Sequence, residues 1–181
     1  MRKAAQNSSM KNTLLVLLSL TMIVFSTSAF AKKVEKMPVK RNGLYYEHLS
    51  PNLANGTYER YSDDARLKER MTYKDGNKEG IWLVYYENNQ LKNRTTYKDG
   101  KLNGPFEGYH KNGQLKYKTT YIDGIEDGPF VMYYENGQLQ ARGTAIDGKP
   151  NGHFESYHGN GQLRTTGTYK DGKLDGLLEA Y

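Results

Sequence analysis

The sequence predicts an all-β protein in which β-hairpin repeats of 24 residues form one elongated, twisted antiparallel sheet. Asn-Gly and Asp-Gly dipeptides alternate along the chain, and both favour hairpin turns because Gly, Asn and Asp adopt positive φ readily. Helices are excluded, because glycines and threonines recur at intervals too short for a helix to continue. The repeat itself is marked by glycines at a constant spacing of 24 residues: Gly56, Gly80, Gly104, Gly128, Gly152 and Gly176.

The Asn-Gly dipeptides predict where each hairpin turns and which residues face each other. With a two-residue turn at 112–113, Phe106 faces Thr119 and His110 faces Leu115. Side chains alternate between the two faces of a strand, so these positions fall on one side of the sheet. The register of every hairpin follows from this one turn.

The Asp-Gly dipeptides predict how one hairpin joins the next. With a two-residue turn at 123–124, Tyr117 faces Phe130 and stays on the same side as Phe106. The alternative is a longer loop over residues 123–128 with a β-bulge at Gly128. The sequence leaves both connections open.

One face of the predicted sheet is aromatic. The register places Phe130 opposite Gly143 and Phe154 opposite Gly167, so that each ring covers bare backbone. A single sheet of about eleven strands or more leaves this face in need of cover, which a partner could supply. The residues predicted to be structural are Trp82, Phe106, Phe130 and Phe154 with the unit glycines Gly80, Gly104, Gly128 and Gly152.

The N-terminus has the pattern of a secretory signal. Basic residues begin residues 1–31, an apolar stretch covers 14–25, and the small residues of "AFA" predict cleavage between Ala31 and Lys32. A membrane anchor is the rival interpretation, but the apolar centre is short for a span. Either Met1 or Met10 can be the initiator. We expect a soluble periplasmic or secreted protein, with no lipid-attachment cysteine and no disulfide, because the chain has 0 cysteines.

After the signal, the sequence predicts a basic linker over 32–41, an N-terminal lead-in over 42–55 and the repeat domain over 56–181. Removing the signal lowers the basic count from 26 to 23 against 20 acidic residues, so the net charge falls from +6 to +3. The lysines are spread along the chain, which argues against nucleic acid as a partner. The linker is interpreted as solvated, with attraction to an anionic membrane surface or cell-wall polymer as the alternative.

The repeats resemble a known family over residues 42–181. The segments "DGNKEGIWLVYYENNQL" and "DGIEDGPFVMYYENGQL" are similar to the bacterial variant of the MORN repeat. Chains of this kind are commonly grouped with YwqK-type antitoxins of toxin–antitoxin systems. The resemblance implies a β-hairpin repeat fold and a role in binding a protein partner. An antitoxin that neutralises a cytoplasmic toxin should not carry an export signal. Either the partner lies outside the cytoplasm or the antitoxin label does not apply.

A tyrosine occupies the sixth position of every unit. The register places these rings on the polar side of the sheet, away from Phe106. Such rings can simply pack on cross-strand neighbours, or they can form an aromatic strip that binds a protein or stacks on the sugars of an envelope glycan. The six candidate partner-binding residues are Tyr61, Tyr85, Tyr109, Tyr133, Tyr157 and Tyr181.

No residue pattern predicts catalysis, a cofactor or a metal. His110 and His158 exchange with Tyr86 and Tyr134 at the seventh position, which favours a structural role over metal binding. The recurring aspartates are each followed by glycine, as hairpin turns require, and one carboxylate per turn is too few for calcium. The sequence therefore predicts a non-enzymatic scaffold. The aspartates are Asp75, Asp99, Asp123, Asp147 and Asp171.

Overall fold

The computed structural model describes residues 37–181, which contain seventeen strands and no helix. The strands are β1 (Val39–Arg41), β2 (Leu44–Tyr46), β3 (Gly56–Tyr61), β4 (Leu67–Lys74), β5 (Asn77–Lys78), β6 (Gly80–Tyr85), β7 (Leu91–Lys98), β8 (Lys101–Tyr109), β9 (Leu115–Ile122), β10 (Ile125–Glu126), β11 (Gly128–Tyr133), β12 (Leu139–Ile146), β13 (Lys149–Pro150), β14 (Gly152–Tyr157), β15 (Leu163–Lys170), β16 (Lys173–Leu174) and β17 (Glu179–Ala180).

Fifteen of these strands form one open antiparallel sheet, whereas β1 and β2 pair only with each other. Eleven strands lie side by side in the order β16-β15-β14-β12-β11-β9-β8-β7-β6-β4-β3. The short strands β5, β10, β13 and β17 pair with β4, β9, β12 and β15. The predicted fold class is confirmed: hairpin units of about 24 residues form a single open sheet.

The Asn-Gly turns differ from the two-residue turns that we predicted. The His110 amide donates to the Gln114 carbonyl, and the Gly113 amide donates to the His110 carbonyl. The loop therefore has three residues, 111–113, and only Gly113 has positive φ, at 86°. The predicted pairing of Phe106 with Thr119 is confirmed.

The pairing of His110 with Leu115 is wrong. Leu115 pairs with Tyr109 instead, because a β-bulge shifts the register just before the loop. The bulge takes up the extra residue that a three-residue loop introduces between the strands. His110 thereby flanks the loop and closes it through its backbone hydrogen bonds with Gln114 and Gly113.

The Asp-Gly turns have the predicted two-residue form. Asp123 and Gly124 have φ of 50° and 91°, and Ile122 pairs with Ile125 across the turn. The register then shifts between Glu126 and Val131, a segment that contains Gly128 with a φ of 129°. The structure therefore has the two-residue turn and not the longer loop over residues 123–128, and of the second alternative only the bulge near Gly128 occurs.

This second bulge moves the pairing of the next strand. Tyr117 pairs with Met132, so the predicted pairing of Tyr117 with Phe130 is wrong. The shift is an even number of residues, which preserves the face because side chains alternate with a period of two. The rings of Tyr117 and Phe130 accordingly still share a face, with centroids 6.4 Å apart.

The aromatic face carries rings on successive strands. Phe130 lies opposite Gly143 and Phe154 lies opposite Gly167, as predicted. Neighbouring rings are about 6 Å apart, a distance at which tilted and edge-on aromatic contacts are favourable. The rings in contact along this face are Tyr58, Tyr73, Trp82, Tyr97, Phe106, Tyr117, Tyr121, Phe130, Phe154 and Tyr169.

The first hairpin covers the start of this face. Its turn at 42–43 connects β1 with β2, and Tyr45 on β2 lies 4.8 Å from the ring of Tyr73. The buried cluster beneath it comprises Ala54, Tyr58, Met71 and Tyr73. Residues 39–41, the end of the predicted linker, form strand β1 of this hairpin and are exposed.

The predicted signal, its cleavage site and residues 32–36 of the linker lie outside the described residues. From residue 37 to the end, the chain has no helix with the length and apolarity needed to cross a bilayer.

Candidate functional site

The face opposite the aromatic rings is named here the charged face, and its residues form rows that run across the strands. The central row contains acidic, basic and uncharged side chains, and cross-strand pairing connects each member with the next. In order across the sheet, this charge row is Glu59, Arg70, Leu83, Arg94, Glu107, Lys118, Val131, Arg142, Glu155, Thr166 and Glu179.

The six candidate tyrosines lie beside the charge row. Each is two residues further along its strand, so each side chain projects from the same face as the row. Five are half-buried, whereas Tyr181 is 67% exposed. A basic or polar residue from each neighbouring return strand lies two positions before the charge row, next to these tyrosines: Lys68, Lys92, Lys116, Gln140 and Arg164.

Four of the tyrosines donate a hydrogen bond to a glutamate of the charge row. The O···O distances are 2.5 Å from Tyr61 to Glu59, 3.0 Å from Tyr109 to Glu107, 2.8 Å from Tyr157 to Glu155 and 2.6 Å from Tyr181 to Glu179. The side chains two places before Tyr85 and Tyr133 are Leu83 and Val131, which cannot accept a hydrogen bond. The tyrosine row therefore has two kinds of position.

Hydrogen bonds with basic and tyrosine neighbours also favour the ionised form of two of these glutamates, Glu155 and Glu107. Arg142 and Tyr157 hold the pKa of Glu155 down at about 2, and Arg142 Nε lies 2.5 Å from its carboxylate. Glu107 is partly buried, which opposes ionisation, but the hydrogen bonds from Lys118 and Tyr109 still lower its pKa. Glu107 and Glu155 are therefore ionised at neutral pH.

The same hydrogen bonds raise the pKa of the tyrosines. For Tyr61 and Tyr157 the bond to the glutamate is the main cause, since a deprotonated hydroxyl could not donate it. For Tyr109 burial contributes most and the bond to Glu107 adds to it. These tyrosines are neutral hydrogen-bond donors at physiological pH.

A groove opens at the N-terminal end of the tyrosine row. Its volume is about 660 Å³, and its lining contains five basic side chains and a single acidic side chain, Glu87. Tyr85, Val84 and Leu67 provide its apolar surface. The basic residues in the lining are Arg60, Arg66, Lys68, Lys92 and Lys111.

Three of the seventh-position residues, His110, Tyr86 and Tyr134, make hydrogen bonds to the backbone of the next unit. His110 Nε2 donates to the Tyr133 carbonyl at 2.8 Å, and the Tyr86 hydroxyl donates to the Tyr109 carbonyl at the same distance. Imidazole and phenol can exchange here because both place a donor at the end of a flat ring. These bonds connect consecutive units.

The turn residues are structural as well. Asn112 Nδ2 donates to the Glu135 carbonyl of the next unit at 2.8 Å, while its Oδ1 accepts from the Gln114 amide. Asp123 has the positive φ that its turn requires. Within residues 37–181, no three His, Asp or Glu side chains come together in the geometry of a metal site.

Sequence reasoning did not find an aromatic cluster around Lys78. The ammonium nitrogen lies 3.7 Å from the centroid of Trp82, 4.9 Å from that of Tyr97 and 5.8 Å from that of Tyr45. Burial lowers the pKa of Lys78. The other units have Leu102, Glu126, Pro150 and Leu174 at this position, so the repeat gives no signal for a cation there.

Single-layer hairpin units with an exposed charged face define a tandem β-hairpin repeat protein. The repeat is the MORN repeat variant: that family's profile matches residues 78–99, 102–123, 126–147 and 150–171, four tandem copies beginning 24 residues apart. The resemblance to this repeat is therefore confirmed, and repeats of this kind are generally scaffolds that bind proteins or lipids. No curated protein matches the chain.

Proposed function

We propose that this protein is a non-enzymatic scaffold that binds a protein partner on its charged face. The tyrosine row carries the proposal, because Tyr85, Tyr109 and Tyr133 alternate with exposed lysines across a sheet with no second layer over the described residues. Tyrosine and arginine dominate the binding energy of many protein interfaces. The structural alternative, rings that only support the sheet, predicts no loss of binding when they are removed.

The test is affinity purification from a cell-envelope fraction with the mature protein as bait. Replacing Tyr109 and Tyr133 together by alanine should remove the partner, because two large rings leave the interface. The matched control replaces Ile122 and Ile146, which are 51% and 47% exposed and lie at the far ends of the neighbouring strands β9 and β12. If both double variants retain a partner that the wild type retains, the tyrosine row is not the binding surface.

An envelope glycan is the second candidate ligand. Rings on alternate strands are about 9.6 Å apart, since strands are spaced about 4.8 Å, and flat rings at such intervals can stack on sugars. The lysines between the rings favour an acidic glycan. Retention of the wild type, but not of the Tyr109→Ala, Tyr133→Ala variant, on immobilised peptidoglycan or lipopolysaccharide would support this candidate. No retention on either polymer removes it.

We also propose export and an antitoxin-like role as narrower forms of this function. Export is supported by the signal pattern and predicts a mature N-terminus at Lys32, which N-terminal sequencing of the periplasmic protein checks. An antitoxin-like role rests on the resemblance to YwqK-type antitoxins and predicts that the captured partner inhibits growth when expressed alone. A partner that is harmless alone argues against it.

A further inference from the structure

The charge row repeats every second unit. Glu59, Glu107 and Glu155 are 48 residues apart, and an apolar residue stands midway between consecutive glutamates. Leu83 pairs with Arg70 on one side and with Arg94 on the other. A single unit therefore does not describe this face, which repeats over four strands.

The second apolar position has the same surroundings. Val131 pairs with Lys118 on one side and with Arg142 on the other. Two equivalent sites result, each with an apolar centre, two flanking cations and a tyrosine two residues further along the strand. The first site consists of Arg70, Leu83, Tyr85 and Arg94, and the second of Lys118, Val131, Tyr133 and Arg142.

The cations of both sites are anchored by glutamates that lie outside the sites. Arg70 is 2.6 Å from Glu59, and Lys118 is 3.1 Å from Glu107. The cationic side chains remain 38–57% exposed, so they keep donors available to a ligand. Each site thus presents two oriented cations beside an apolar side chain, Leu83 or Val131.

The local charge is positive even with the glutamates included. From Glu59 to Glu155, the charge row contains four cations and three carboxylates. Lys68, Lys92 and Lys116 add three positive charges beside it. Lys68 and Lys92 also line the groove at the first site, so the positive surface continues into the other basic side chains of that groove.

We propose that the two sites bind acidic side chains of one extended segment of the protein partner. The inference rests on the proposed protein-binding function and names the chemistry of that partner. The sites are four strands apart, which corresponds to about 19 Å. An extended polypeptide covers that distance with about six residues. Leu83 and Val131 favour a ligand with apolar side chains beside its acids, which a polypeptide supplies.

Synthetic peptides test the spacing directly. The probe carries two glutamates six residues apart in a Leu/Ser background, and the reference peptide has the same composition with adjacent glutamates. Isothermal titration with the mature protein should give at least about tenfold tighter binding of the spaced peptide, because only it reaches both sites. Added salt should weaken this binding, since the contacts are charged and exposed.

Matched charge variants test the sites. Arg70→Gln with Arg94→Gln should weaken binding of the spaced peptide about tenfold. Lys149→Gln with Lys173→Gln removes the same charge from exposed turn strands and should leave binding unchanged. Lys118→Gln with Arg142→Gln repeats the test at the second site. If circular dichroism shows that the Arg70, Arg94 variant does not fold, this second variant alone decides the test.

Equal binding of the two peptides, or wild-type binding by folded site variants, overturns the proposal. Binding of a uronic-acid polymer or of anionic phospholipid vesicles in place of both peptides also overturns it. This inference and the proposed function can fail independently. A variant that lacks all four site cations and still captures the wild-type partner refutes this inference and leaves the protein-binding scaffold in place.

Discussion

Gly143 shows how closely single residues are fitted on the aromatic face. A Cβ at this position would lie 2.9 Å from Phe130 Cζ and 3.3 Å from Phe154 Cδ2. The absence of a side chain at Gly143 therefore leaves the space into which two rings pack. Its backbone conformation is ordinary for a strand, so this space is the reason that glycine is required. Phe154 lies over it as well as Phe130, although pairing alone assigns only Phe130 to this position.

We predict that Gly143→Ala destabilises the protein by about 1–3 kcal/mol, the usual cost of overpacking. Gly159→Ala is the matched control, because a Cβ there meets nothing within 4 Å. Urea unfolding of both variants checks the prediction. Equal stabilities would show that the rings move aside without cost and that their contact with the glycine is loose.

The Asn-Gly turns act at the scale of the hairpin. The asparagine side chain accepts from the backbone of its own turn and donates to the carbonyl 23 residues ahead. Asn160 retains only the first of these functions, since its Nδ2 donates to Gln162 Oε1. The same residue type therefore shapes a turn in one unit and also connects two units in another.

Asn112→Asp separates the two functions, because aspartate keeps the acceptor and loses the donor. We expect a loss of about 1 kcal/mol or more of unfolding free energy, since the carboxylate would face the Glu135 carbonyl. Asn160→Asp should cost clearly less. Thermal unfolding of the two variants measures the difference, and equal losses would assign the whole effect to the turn.

We expect tyrosine ionisation to lower the stability of the whole sheet at high pH. Burial, together with the Glu126 carboxylate for Tyr117, raises the pKa of Tyr73 and Tyr117 far above the ordinary value of 10.0. The pKa of Tyr97 and Tyr121 is also raised, chiefly by burial. A raised folded-state pKa gives stability that is complete below pH 10.0 and is lost as the pH rises further.

We therefore predict alkaline unfolding that coincides with the appearance of tyrosinate absorbance. Tyr117→Phe removes the hydrogen bond to Glu126 and should be less stable than the wild type near neutral pH. The difference should narrow above pH 10.0, because the variant has one fewer group that ionises on unfolding. Denaturant unfolding across the alkaline range checks this, and a constant difference would contradict it.

Much of the fold could be predicted because its signals are local. Gly113 and Gly124 mark turns through backbone conformations that other residues adopt at a cost, and alternation along each strand assigns Phe106 and Tyr109 to opposite faces. The tyrosine row was predicted for the same reason. The sequence also shows that Leu83 and Val131 replace the glutamate in two units. Only the cross-strand pairing shows that two cations flank each of these apolar residues.

The sequence by itself determined the 24-residue hairpin unit, the positions of its turns and the separation of an aromatic face from a charged one, because these depend on backbone preference and a period of two. The tertiary structure decided which strands' residues meet. Bulges near Gly128 and Lys116 changed the partners of Tyr117 and Leu115, since a bulge alters register without altering the local pattern. The charge row and the rings around Lys78 exist only through that register.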